Sequence, residues 1–99
     1  FAIPPLMALP KIEKVIDHKI PVFVDCGVMN GMDAFKALAL GATAVSVGRA
    51  IMGPLGKSKA AGVAETIKQM TEELAGVMAR TCSPDIRRID AGVIWRKGF

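Results

Sequence analysis

Ile20-Pro-Val-Phe-Val-Asp-Cys-Gly27 is the stretch on which the fold turns. Its centre is continuously apolar and rich in β-branched and aromatic residues rather than alternating. That is the pattern of a strand covered on both faces, as in parallel sheets. The strand ends at Asp25 and passes into a glycine-bearing loop, residues 26–31. A helix is expected over residues 32–40, with Phe35 and Leu38 on one face. Asn30 or Asp33 complements its N-terminus, and Gly41 stops it. A second strand, Ala42-Thr-Ala-Val-Ser-Val47, follows and ends in Gly48-Arg49. Strand, helix and strand in this order make a parallel βα unit, which places the chain in the α/β class.

Upstream, Leu6, Leu9, Ile12 and Ile16 recur at three- and four-residue steps, with Lys11, Glu13, Lys14 and Asp17 on the polar side. Pro10 suits a first helical turn, so this helix is expected to begin there. His18 reads as a surface residue of the loop that follows. Downstream, a short helical turn is expected at residues 50–52 and a loop at 55–59. A long helix is expected over 60–80, its apolar stripe made by Val63, Ile67, Met70, Leu74, Val77 and Met78. The methionines read as core filling. Ser83-Pro-Asp85 opens a further short helix that ends near Ile89.

The chain has 99 residues, 52% of them apolar and 22% charged, which allows one ordered domain at most. So high an apolar share is unusual where surface is large relative to volume. A membrane segment does not account for it, because Lys, Asp or Gly interrupts every apolar run before the ~20 residues a span needs. A piece of a larger unit does, and an opening Phe1 in place of Met agrees with that expectation. Two parallel strands alone also leave a sheet with open edges. The net charge is +4, with Arg80, Arg87, Arg88, Arg96 and Lys97 grouped late against Asp85 and Asp90. Tyr is absent and Trp95 is the single tryptophan, so the stacking surface of a nucleic-acid binder is missing. Cys26 and Cys82 have no paired or metal-ligand spacing, and neither a disulfide framework nor a metal site is expected. Cys26 reads as a buried small residue, and the chain as one from a reducing, cytoplasmic setting.

Chemistry concentrates in the loops that follow the two strands. In parallel βα architectures ligands sit at the C-terminal strand ends. Gly27, Gly31 and Gly48 let backbone N–H groups approach an anion closely, and a helix N-terminus adds partial positive charge. Arg49 supplies a planar donor fork suited to phosphate.

Three segments carry a more specific resemblance. Ile20-Pro-Val-Phe-Val-Asp-Cys-Gly-Val28, Gly31-Met-Asp-Ala-Phe-Lys-Ala-Leu-Ala-Leu-Gly-Ala42 and Val45-Ser-Val-Gly-Arg49 resemble the FMN-dependent α-hydroxy acid oxidase and dehydrogenase family, to which glycolate and lactate oxidases belong. The resemblance implies a (β/α)8 TIM barrel, of which residues 1–99 are the C-terminal portion of a single domain: the last two strands and their helices. It implies FMN as cofactor, with Asp25, Cys26, Gly27, Val28 and Met29 along the ribityl-phosphate and Gly48 and Arg49 on the phosphate. It implies a small 2-hydroxy acid as substrate of the complete barrel, and the rest of the barrel as this segment's partner. The family's catalytic His lies in a His-Gly-Gly-Arg type motif that this sequence lacks. No catalytic residue is therefore expected here, and the chain alone is expected to be inactive. The alternatives are a non-catalytic, self-associating module and part of another phosphate-binding barrel, such as a type 2 isopentenyl diphosphate isomerase. The sequence departs from the family pattern at Cys26, where a second glycine is usual. It departs again at Met29 and Asn30, where two basic residues are usual, and at Ala50, where proline is usual.

Overall fold

Val22 and Thr43 exchange a reciprocal pair of hydrogen bonds. The Thr43 N–H donates to the Val22 carbonyl at 2.7 Å, and the Val22 N–H donates to the Thr43 hydroxyl at 3.0 Å. Two residues on, the Ser46 N–H donates to the Val24 carbonyl at 2.8 Å. These bonds bracket a parallel pairing of β1 (Phe23–Val24) with β2 (Ala44–Val45), in the register Phe23 to Ala44 and Val24 to Val45. The computed structural model describes residues 2–95; Phe1 and the Arg96 and Lys97 of the basic tail lie outside them. The helices among the described residues are α1 (Pro5–Ile16) before β1, α2 (Gly31–Ala39) between the strands and α3 (Arg49–Arg80) after β2, with a 3-10 turn at Ala91–Val93.

The connection between the strands is built from small residues. Ala34, Ala37, Ala39 and Ala42 are all buried, which lets α2 pack close to its neighbours. One core cluster joins Leu9 of α1, Val24 and Val28, Ala34 and Ala37 of α2 and Met70 of α3. A second joins Phe35 and Ala39 to Val77, with Leu74, Met78, Ile89 and Ile94 around them. Gly31 sits where α2 meets α3: a Cβ there would come within 2.5 Å of the Glu73 Cβ and 2.6 Å of the Leu74 backbone nitrogen. Its N–H donates to Glu73 Oε1 at 3.3 Å.

The βαβ core agrees with the sequence reading, while several boundaries and one burial expectation do not. Each strand is two residues long, because a single ladder joins them and Pro21 has no N–H to extend it. Burial covers one face: Val24 is 5% exposed and Phe23 72%, so the helices shield the side of Val22, Val24, Val45 and Val47 and leave the other open. Helix α1 begins at Pro5, with Pro10 in its interior. The rule that places proline in the first turn applies at Pro5, and burial of Leu9 in the core offsets the hydrogen bond Pro10 cannot make. Helix α2 begins one residue earlier than expected, and Gly41 ends it at φ 114°, in the left-handed region.

The helical turn expected at 50–52 is present and continues through residue 58 in place of the expected loop, so α3 starts at Arg49. The expected start at residue 60 falls beside a sharp break at Lys59 (φ 55°, ψ −139°). There the helix folds back, so that a Cβ on Gly62 would meet the Pro54 carbonyl carbon at 2.9 Å. Of the expected stripe, Met70 and Val77 are buried and Ile67 is exposed. The short helix expected to end near Ile89 is absent among the described residues. The Asp85 carboxylate instead accepts the Arg87 N–H at 2.9 Å and its Nε and Nη2 at 3.2 and 3.1 Å. That local bonding competes with a helical backbone.

Two stability predictions follow from this packing. Gly31→Ala forces α2 and α3 apart and lowers unfolding stability by about 1–3 kcal/mol. Gly76→Ala, whose Cβ meets only the Arg80 guanidinium at 3.5 Å, raises it by about 0.5–1 kcal/mol. Urea unfolding checks both, and equal shifts contradict the packing described. The Arg87 side-chain hydrogen bond holds Asp85 down from 3.8 to about 2. Because the folded-state value is depressed, this stabilisation is present above the ordinary carboxylate range and lost as pH falls toward 2. Carbon-detected titration should find the depressed midpoint, and Arg87→Ala should return it toward 3.8.

Candidate functional site

The register of β1 and β2 decides where the chemistry gathers. Parallel strands paired at Val24 and Val45 finish side by side, so the loops after Asp25 and Ser46 meet at one end of the sheet. A cleft of about 470 Å3 lies there, lined by Asp25, Cys26, Gly27, Val28, Met29, Ser46, Gly48 and Arg49. All seven anticipated positions surround it. Ser46 is the addition; its signal was the single hydroxyl in the otherwise apolar run from Ala44 to Val47.

The loop from Asp25 to Asn30 is shaped by its own side chains. Asp25 Oδ1 accepts the Cys26 N–H at 2.9 Å. Cys26 and Gly27 then both take the left-handed conformation, at φ 74° and 80°. Cys26 is exposed, not buried as expected, because this turn carries its side chain out of the core. Val28 is buried at 5% and anchors the loop in the first core cluster, so it can offer a ligand its backbone only. The two candidate caps work together. Asn30 Oδ1 accepts the Asp33 N–H at 2.9 Å, and Asp33 Oδ2 accepts the Met29 N–H at 3.0 Å. The Met29 and Gly31 N–H groups are thereby committed inside the protein, and Gly31 lies outside the cleft.

What remains toward the cleft is a set of donors. Among the described residues the N–H groups of Gly27, Val28, Gly48 and Arg49 have no hydrogen-bond partner. Gly48 and Arg49 open α3, where unpaired N–H groups carry the positive end of the helix dipole. A Cβ built on Gly27 or Gly48 meets nothing within 4 Å, so a ligand can approach both backbones. Arg49 is exposed, and among the described residues no carboxylate pairs with it. This donor set fits a phosphate. Asp25, an acceptor, suits hydroxyl groups instead.

His18 is remote from this cleft. It lines a separate cavity of about 400 Å3 with Glu13, Gly41 and Thr43, before the start of β2. Its Nδ1 lies 2.8 Å from Glu13 Oε1.

The sequence profile described as FMN-dependent dehydrogenase matches residues 1–96. Glycolate oxidase of Spinacia oleracea is 39% identical over 84 residues, which cover 85% of this chain and 23% of that protein. L-lactate oxidase of Alicycliphilus denitrificans is 44% identical over 75 residues, 76% of this chain and 20% of that protein. An (S)-mandelate dehydrogenase structure superposes with a TM-score of 0.80 at 33% identity, covering 89% of this chain and 24% of that one. A mandelate oxidase solved with an FMN adduct gives 0.81 at 33%, covering 90% and 28%. The chain thus spans about a quarter of the length of the proteins it matches.

The left-handed conformation of Cys26 yields a prediction. Such a conformation costs a residue with a Cβ about 1–2 kcal/mol. Cys26→Gly should therefore raise stability by about 0.5–1 kcal/mol, after allowing for the greater flexibility of an unfolded glycine. Cys26→Val should lower it. Urea midpoints that move the other way contradict the assigned backbone.

Proposed function

The chain belongs to the FMN-dependent dehydrogenase family, and on that premise we propose that it forms the closing part of a (β/α)8 barrel and carries the phosphate end of that barrel's FMN site. In this reading the complete protein is a 2-hydroxy acid oxidase or dehydrogenase. The observation that carries it is the single cleft shared by the two strand-end loops, with its unpaired N–H groups, its open glycine backbones and Arg49.

FMN, when bound, supplies a hydride acceptor for oxidation of the 2-hydroxy acid. The work of this chain is to hold and orient it. The Arg49 guanidinium and the N–H groups of Gly48 and Gly27 bind phosphate oxygens, and Asp25 accepts hydrogen bonds from the adjoining hydroxyls. The family resemblance implies a basic residue where Met29 stands, so in this reading Arg49 carries the side-chain charge at the phosphate. His18 opens onto the other cavity, and the proton-accepting base belongs to another part of the barrel. The open face of β1, with Phe23 72% exposed, is the surface on which the remaining strands pack. Self-association through that face is the alternative, favoured by the same exposure. Light scattering separates the two, since self-association predicts a mass that rises with concentration. The free thiols of Cys26 and Cys82 suit a reducing, cytoplasmic setting.

Loss of a charge-assisted hydrogen bond costs about 1.5–3 kcal/mol. Arg49→Ala should accordingly weaken FMN binding by about ten- to a hundredfold, and Met29→Arg should strengthen it. Flavin fluorescence titration reads both. Equal affinities for the three proteins contradict the phosphate assignment. The chain alone should leave lactate and glycolate unoxidised at any FMN concentration.

A further inference from the structure

Ser46 belongs to the cleft for a reason of register. Pairing of Val24 with Val45 sets the next residues, Asp25 and Ser46, side by side. The Ser46 N–H bond to the Val24 carbonyl at 2.8 Å carries the ladder to that point. Side chains alternate along a strand. Val22, Val24, Val45 and Val47 pack on the helical side, so Phe23, Asp25, Ala44 and Ser46 share the open face. Both polar members of that set line the cleft.

Their unused bonding capacity is complementary. Asp25 Oδ1 is held by the Cys26 N–H, and among the described residues Oδ2 has no partner. The Ser46 hydroxyl likewise has none among the described residues, while its backbone N–H is committed to the ladder. A carboxylate accepts only; a hydroxyl donates and accepts. Side by side, they satisfy an alcohol that must donate one hydrogen bond and accept another. Phosphate cannot use Asp25, because like charges repel. The natural occupant beside the phosphate donors is therefore a hydroxyl-bearing carbon chain.

We propose that Ser46 is a positioning residue for the cofactor: with Asp25 it grips the polyhydroxyl chain next to the phosphate, adding a contact where Met29 adds no charge. The proposal rests on the phosphate assignment of Gly48 and Arg49.

The test is a nuclear magnetic resonance titration of the full chain with FMN and, separately, inorganic phosphate, each to millimolar concentration. Both probes should shift the Gly48 and Arg49 amides, and FMN alone should shift Asp25 and Ser46. S46A should weaken FMN about three- to tenfold, as expected for one uncharged hydrogen bond, and leave phosphate affinity unchanged. S46T, which keeps the hydroxyl, should restore FMN affinity. If S46A binds FMN as the parent chain does, or weakens phosphate equally, the role of Ser46 is overturned while the phosphate site stands. If neither probe shifts Gly48 and Arg49, the phosphate assignment fails and the role of Ser46 falls with it.

Discussion

The parallel pairing of Val22–Val24 with Thr43–Ser46 is the constraint on which the rest of this structure depends. Only a few backbone and hydroxyl bonds make it. It can form because α2 returns the chain over a helix of alanines small enough to pack against strand and helix alike. Once it forms, the ends of both strands are fixed beside each other, and two loops separated in sequence become the walls of one cleft. The close contact of Gly31 with Glu73 and Leu74 then locks α3 against α2, so that the N-terminus of α3 opens at that same end.

Within the cleft, the loop's own hydrogen bonds take some of the available groups and leave others unpaired among the described residues. Val28 anchors the loop, Asn30 and Asp33 consume donors to start α2, and Asp25 steadies the turn through the Cys26 N–H. The donors left over are those of the glycines, the Val28 backbone and Arg49. The chain thus uses its side chains to hold the loop and leaves backbone N–H groups unpaired toward the cleft. Cys26 is the exception to local consistency. A residue with a Cβ occupies a left-handed position that glycine fills without strain.

Much of this was legible in residue pattern. The apolar runs around Val24 and Val45, the glycines after them and Arg49 marked the βαβ unit and the end of the sheet where the cleft lies. Asn30 was a recognisable cap. What the pattern concealed was tertiary. Strand length depends on how many neighbours a strand has, and here each has one. The reach of α1 through Pro10 depends on the burial of Leu9, which outweighs a lost hydrogen bond. The interruption expected before residue 60 is real, but it is confined to the backbone of Lys59, and the helical course of residues 53–58 was not legible beside Gly53, Pro54 and Gly56. The exposure of Cys26 follows from a positive φ that its side chain does not favour. Ser46 carried no reading of its own in the residue pattern; the register sets it beside Asp25.

The greasiness of so short a chain has a structural counterpart. Helices cover one face of the strand pair, and Phe23, Val15 and Ile20 remain exposed elsewhere. Such a unit holds a site together through very few ladder bonds, and amide hydrogen exchange tests those bonds most directly. The Thr43 and Ser46 amides should be protected to the same degree as the interior amides of α2, because pairing and helix form one cooperative unit. Exchange of Thr43 and Ser46 at unprotected rates, with α2 and α3 still protected, would contradict the account: the helices would stand without the pairing that brings the two loops together.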